Sequence, residues 1–325
     1  MLNGWFRLNL VVAALVIDVV AATASFAQQW PTHPVRFVLP FGPGSGADTA
    51  ARLITDKLQH KWGQPVILDG KPGGDGLLSL QTVLSAKDDH TLFFGPSSIF
   101  VVERYMHPDV SFDPETDLKP IVGVAKVEIA MAVPTSLGIS TLAEFVALSH
   151  AKPNQTSYAV APGFSEFVLD GFVKETGLAI AKVPYRDITK SPLDLGENRI
   201  QLSMQSYAAM RTYAQTGKIK IIAINDRERS PIAPDVPSVA EAGYPSLVAN
   251  PVLGLLGPSD MPIDLRKRIA ADVLATLDDK AIRQRFALTG QPVTPLGVDA
   301  YTAALKEQYT QVAHLASELG IVRNK

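Results

Sequence analysis

Two apolar runs in this chain each empty into a glycine-rich loop and then into a helical pattern, and this repetition restricts the fold more than any other feature. Arg36-Phe37-Val38-Leu39-Pro40 leads into Phe41-Gly42-Pro43-Gly44-Ser45-Gly46-Ala47-Asp48, followed by an amphipathic segment from Thr49. Val66-Ile67-Leu68 leads into Asp69-Gly70-Lys71-Pro72-Gly73-Gly74-Asp75-Gly76. Strand, loop and helix in that order build a parallel sheet with helices over its faces. Consecutive parallel strands would carry both loops to the same sheet edge. Backbone N–H groups and helix N-termini gathered there can hold a carboxylate. Each loop taken alone also reads as a tight connection, because glycine supports positive φ and close approach.

The alternation continues along the chain. Periodicity predicts helices over 49–61 and 77–86 and a strand over 91–95. A second alternating unit starts at 129, with strands over 129–133, 156–160, 180–183, 202–205 and 219–224 and helices over 142–149 and 164–176. The tail carries Leu253-Gly254-Leu255-Leu256-Gly257 and long helical patterns over 264–277 and 299–319. A return of this tail to the first unit would make two discontinuous lobes with a cleft between them; a small third domain also fits.

The N-terminal end reads as an export leader. Arg7 precedes an apolar stretch from Leu8 to Ala22, and Thr23-Ala24-Ser25-Phe26-Ala27 offers small residues for cleavage after Ala27. Asp18 interrupts the apolar run, and no later stretch reaches the roughly 20 residues of a membrane span. The expected place of work is the periplasm. Cleavage would remove one Arg and one Asp and so leave the formal net charge at −2. With basic residues scattered rather than striped, bulk charge argues against nucleic acid as a partner. The absence of cysteine excludes disulfides and thiolate chemistry.

No enzyme or cofactor constellation competes with anion capture. The first loop lacks the G-x-G-x-x-G spacing of a dinucleotide site, Pro43 has no backbone N–H to donate, and no Gly-Lys-Ser/Thr follows. Gly95-Pro96-Ser97-Ser98-Ile99 lacks the last glycine of a nucleophile elbow, which makes Ser97 a turn or binding hydroxyl. The six histidines form no His-x-x-His or His-Glu-x-x-His motif, and Asp88-Asp89 and Asp278-Asp279 read as solvated turns and helix ends, so neither metal nor cofactor is expected. Asp48 is read first as the N-cap of the helix that follows it. Direct contact of its carboxylate with a ligand carboxylate would be repulsive.

Taken together, Trp30-Pro31-Thr32-His33-Pro34-Val35-Arg36, the loop from Pro40 to Arg52, Gly63-Gln64-Pro65-Val66, Lys71-Pro72-Gly73-Gly74-Asp75-Gly76, Val183-Pro184-Tyr185-Arg186 and the string from Asp235 to Pro245 form a specific pattern. The chain resembles the Bug, or tripartite tricarboxylate transporter (TctC-like), family of extracytoplasmic substrate-binding proteins over nearly its whole mature length. The resemblance implies an α/β, two-lobed, periplasmic-binding-protein-like (Venus flytrap) fold, closing on an organic acid and presenting it to membrane transporter subunits, without catalytic turnover. On that reading residues 1–27 are the signal peptide, 28–125 with 253–325 the first lobe and 126–252 the second, and the protein is a monomer.

The resemblance assigns ligand contact to Phe41, Gly42, Gly44, Ser45, Gly46, Ala47 and Asp48 on the first loop and to Gly73, Gly74, Asp75, Gly76 and Leu77 on the second. Ser97 is added from the turn after the third strand. From the second lobe come Phe164, Ser165, Arg186, Gln205, Ser206 and Tyr207. Ser45, Asp75 and Leu78 depart from the glycine-richer family loops and would narrow the first pocket. Phe164 or Phe167 could face an aromatic ligand or enter the core. Arg186 could meet a distal carboxylate, stay solvated or pair with Glu197, and Glu166 could turn to solvent. A mono- or dicarboxylate, possibly aromatic, is the expected ligand. A carboxylate sensor for a membrane signalling protein, and an exported α/β hydrolase built on Ser97, are the alternatives.

Overall fold

The computed structural model describes residues 30–107, 109–161, 163–185 and 188–321; the expected leader, Arg186 and the last four residues lie outside them. The chain opens with β1 (Val35–Leu39), α1 (Gly46–Trp62), β2 (Val66–Gly70), α2 (Leu77–Ala86) and β3 (Thr91–Pro96). Single-turn helices at Glu103–Met106 and Pro114–Asp117 lead to β4 (Leu118–Lys126). The middle comprises β5 (Ile129–Pro134), α3 (Leu142–Ala151), β6 (Ser157–Val160), α4 (Phe164–Thr176), β7 (Ala181–Pro184), α5 (Ser191–Gly196), β8 (Leu202–Ser206), α6 (Tyr207–Ala214) and β9 (Ile219–Ile224). Then follow β10 (Val252–Pro258), α7 (Ile263–Thr276), α8 (Lys280–Leu288), β11 (Val293–Leu296) and α9 (Val298–Leu319).

These strands form two sheets. The first has the order β11-β4-β10-β3-β1-β2, in which β2, β1 and β3 run parallel and β10 lies antiparallel to both its neighbours. The second has the order β7-β6-β8-β5-β9, with β7, β6 and β8 parallel and β5 antiparallel to β8 and β9. The chain passes between sheets after β4 and again before β10, so its tail completes the first sheet. Helices cover both faces of that sheet, which explains why Val35, Phe37, Val38 and Leu39 are all buried and β1 reads as a continuous apolar run. At the edge, β2 leaves Ile67 half-exposed.

Helix ends follow local chemistry. α1 starts three residues before its periodicity suggests, because Ser45 takes the N-cap: its Oγ accepts from the Asp48 amide at 3.1 Å. Asp48 therefore sits in the first turn and is not the cap, a correction to the expectation from sequence. α1 stops at Gly63, in the left-handed region at φ 65°. Thr141 and Glu144 close a reciprocal capping box on α3.

α9 bridges the two sheets. Tyr301, Leu305, Gln308, Val312 and Leu315 make one buried stripe at alternating spacings of four and three. Tyr301 lies against β4 and β10, where Gly123 and Gly254 leave room that a Cβ would take from its ring. Leu315 lies over Gly171 of α4, where a Cβ would come within 2.6 Å of it. β4, β11 and α8 were not read from the sequence. Pro120 and Gly123 break the apolar run of β4, and Pro295 shortens that of β11.

Candidate functional site

The parallel register of β1 with β2, Leu39 opposite Gly70, and of β1 with β3, Val38 opposite Phe93, brings three strand C-termini to one edge. The chain goes from β1 to β2 on one side and returns to β3 on the other, so this edge is a topological switch point, where open α/β sheets bind ligands. The loops are in direct contact: the Lys71 amide donates to the Leu39 carbonyl at 2.8 Å. A Cβ on Gly70 would stand 2.9 Å from the Phe41 carbonyl oxygen. Only glycine permits that approach.

Each loop ends in a helix N-terminus. In the first, Gly44 turns at φ 86° and Gly46 and Ala47 open α1, ahead of its first intrahelical bonds. The Asp48 carboxylate is occupied: Oδ2 accepts from the Gly44 amide at 2.9 Å and from Arg52 Nε at 3.0 Å, and Oδ1 accepts from Arg52 Nη2 at 2.9 Å. Burial works to raise its pKa, but the bonds from Arg52 and Gly44 outweigh it and hold the carboxyl below its usual value. Asp48 thus braces the loop in its ionised form. In the second loop, Gly73, Gly74, Asp75 and Gly76 all have positive φ, and α2 begins after Gly76 with no side-chain cap. Asp75, at φ 54°, is the one member of that run with a side chain. Gly76 is obligatory, since a Cβ there would lie 2.3 Å from Ile99.

Across from these loops stands the matching edge of the second sheet. A cavity of about 370 Å³ separates them. Of the residues expected from sequence, Phe41, Asp75, Phe164, Ser165, Gln205 and Ser206 border it. Gln205 Nε2 is held by the Ile188 carbonyl at 3.2 Å and Ser191 Oγ at 3.0 Å. Ser206 Oγ caps α6 at the Ala209 amide. Phe164 is both cavity wall and core, being 3% exposed.

Of the other expected contacts, Gly42, Gly44, Ser45, Gly46, Ala47 and Asp48 of the first loop and Gly73, Gly74, Gly76 and Leu77 of the second do not themselves border the cavity, and Ser97 and Tyr207 are taken up elsewhere. Ser97 is wholly buried; its Oγ donates to Gln308 Oε1 and accepts from the Val252 amide at 2.9 Å. It joins β3, β10 and α9, so it supplies neither a ligand hydroxyl nor an exposed nucleophile. The Tyr207 ring enters the second lobe's core, with its hydroxyl on the Ile232 carbonyl at 3.4 Å. Arg186 lies outside the described residues. Glu166 does not turn freely to solvent: Lys182 Nζ pairs with its Oε1 at 2.5 Å and with Asp170 Oδ2 at 2.6 Å. Glu197 pairs with Lys218 at 2.7 Å.

The cavity also has walls that sequence reasoning missed, chiefly Glu103 and His107. The available signal was one acid ending the apolar run Ile99-Phe100-Val101-Val102. Burial, reinforced by the nearby Asp75 charge, pushes the Glu103 carboxyl up to about 8. Among the described residues no group of three or more His, Cys, Asp or Glu could hold a metal, and no helix is long and apolar enough to cross a membrane. A larger cavity, about 980 Å³, lies along α9 between Lys126, Gly171 and Gln311. It has no residue of the loops that follow β1, β2 and β3, whereas the smaller cleft lies at that switch point and is the candidate site.

Residues 50–321 match the family model described as the tripartite tricarboxylate transporter family receptor. A UPF0065 protein of Bordetella bronchiseptica is 28% identical, over 95% of this chain and 92% of its own length. Protein BugT of Bordetella pertussis is 26% identical over 96% and 99%. Among solved structures, an R. palustris protein with adipate shares 25% identity and superposes with a TM-score of 0.77 over 90% of this chain and 99% of that one. MatC from Rhodopseudomonas palustris with bound malate shares 23% identity, with a TM-score of 0.73 over 88% and 99%. The fold is thus that of periplasmic binding proteins of this type.

Proposed function

Because the chain belongs to the tripartite tricarboxylate transporter family of receptors, we propose that it captures one small organic carboxylate in the cleft and delivers it to the membrane subunits of such a transporter, working in the periplasm. Proteins of this family are receptors and not enzymes, so the cleft has to bind and release rather than transform. The observation that carries the proposal is the pairing of two glycine loops on adjacent parallel strands, each ending in a helix N-terminus, opposite the polar edge of the second sheet. Backbone N–H groups there take one carboxylate without any fixed cation. Phe164 and the side chains of Ser165, Gln205 and Ser206 line the space for the rest of the ligand.

The adipate and malate held by two structural relatives support a dicarboxylate of modest length. The buried ring of Phe164 at the cavity wall supports extending the range to aromatic acids. The test is calorimetry of purified, ligand-free protein against adipate, malate and an aromatic dicarboxylate. Saturable one-to-one binding of one of them, with the acid recovered unchanged, is the expected result. An absence of binding to aliphatic and aromatic acids alike rejects the proposal.

A further inference from the structure

The cleft wall contains an acid that carboxylate capture by the two loops leaves unexplained. Glu103 borders the cavity and is 2% exposed, and its Oε2 is buried without a hydrogen-bond partner. His107 Nε2, equally enclosed and unpartnered, stands 3.8 Å from Glu103 Oε2 and 3.9 Å from Asp75 Oδ2. Arg104, the basic neighbour on the same turn, points away and pairs with Asp113 and Glu115. Among the described residues no Lys or Arg borders the cavity. The second lobe faces Glu103 with groups that do not titrate, among them Ser165, Met204 and Gln205. Among the described residues, the titratable groups that border the cavity with Glu103 are Asp75 and His107.

An ionised carboxylate in this place is desolvated, has no hydrogen bond to its enclosed oxygen and is close to a second acid, an arrangement that favours keeping a proton. A neutral carboxyl has an O–H to donate, and it removes negative charge from the wall that an anionic ligand must approach. Ketosteroid isomerase, a worked case of a carboxylic acid held neutral at pH 7 by an apolar site, uses such a group as a hydrogen-bond donor.

We propose that Glu103 is a proton-carrying subsite of the cleft, presenting its acid form to the distal carboxylate of the bound organic acid with His107 beside it. This rests on the carboxylate reading of the site. The proton stays on Glu103 and is shared as a hydrogen bond, so no group is transferred. Capture of the anion is thereby linked to the receptor's protonation: deprotonation of Glu103 places like charges together and weakens binding.

The experiment is adipate calorimetry from pH 6.5 to pH 9 on the wild type, Glu103→Gln and His107→Gln, together with a ¹³C titration of the Glu103 carboxyl in ligand-free protein. With the carboxyl near 8, wild-type affinity at pH 9 is expected to be about tenfold below that at pH 7. Glu103→Gln, which cannot ionise, is expected to show no such fall, and His107→Gln to keep it. Wild-type affinity that is flat with pH overturns the proposal. So does loss of adipate binding in a folded Glu103→Gln, whose side-chain amide is neutral at every pH and can still donate a hydrogen bond to the carboxylate. If neither wild type nor variant binds adipate at any pH, the carboxylate reading fails for that acid, and the titration decides the proton site by itself. A midpoint near 8 upholds it and one near 4.5 overturns it.

Discussion

Asp48 and Glu103 are acids at the same edge of the first lobe with opposite fates: Asp48 has partners that outweigh its burial, whereas Glu103 is more deeply desolvated and has a second acid nearby. Asp48 receives two bonds from Arg52 and one from the Gly44 amide, and it is held ionised against desolvation. The enclosed Oε2 of Glu103 receives none, and its carboxyl is pushed up to about 8. A raised folded-state value means that the native protein holds a proton the unfolded chain has released. The stability this contributes is fully present below the ordinary value of 4.5 and is lost as pH rises towards 8. Within that window the wild type should lose about 1.4 kcal/mol per pH unit from this group alone. Glu103→Gln lacks that slope, so urea denaturation at pH 5 and pH 8 should show the variant gaining on the wild type as pH rises. Parallel curves for the two proteins would mean that Glu103 titrates as an ordinary exposed acid.

At the scale of elements, the two helices that open at the cleft are prepared differently. α1 carries a side-chain cap at Ser45, and Asp48 reaches back to the Gly44 amide, so the first loop is tied to its helix. α2 follows four residues of positive φ and has no side-chain cap, which leaves its first turn the better placed to bond an external anion. Replacing Ser45 with Ala removes the acceptor for the Asp48 amide. The expected cost is about 1 kcal/mol of stability, read from the denaturant midpoint, with Ser45→Gly costing only a few tenths. Equal losses in the two variants would show that the hydroxyl's bond is not what holds the start of α1.

The whole molecule depends on a joint away from the ligand. Two crossings link the sheets, and α9 lies against both, with Gln308 Nε2 on the Asn250 carbonyl at 3.0 Å and Gln311 Nε2 on the Val248 carbonyl at 2.6 Å. Lys126 and Asp226, one from each crossing segment, pair at 2.8 Å. Ser97 fastens β3 to this joint through Gln308 and the Val252 amide. Ser97→Ala leaves a buried N–H and a buried amide oxygen without this partner, and should lower unfolding stability by about 1–3 kcal/mol. Chemical denaturation followed by far-UV circular dichroism measures it. An unchanged midpoint would show that water or a neighbouring group replaces the hydroxyl without cost.

What the sequence by itself determined about this protein is what depends on neighbours along the chain. The β1 and β2 runs, the glycine loops, the extents of α2, α4 and β9 and the end of α9 follow from periodicity and turn chemistry, and the family pattern rests on those same segments. What only the tertiary structure decided depends on contacts between distant segments. Ser97 looks like a loop hydroxyl until Gln308, 211 residues away, encloses it. Tyr207 looks like a cleft wall until the second lobe's core takes its ring. β4 and β11 are broken runs in sequence that become strands because β10 supplies the pairing β4 needs and β4 supplies that of β11. Glu103 looks like any acid at a helix start. Its desolvation comes from packing at the cleft wall and its repulsion from Asp75 on another loop, and neither exists until the chain has folded.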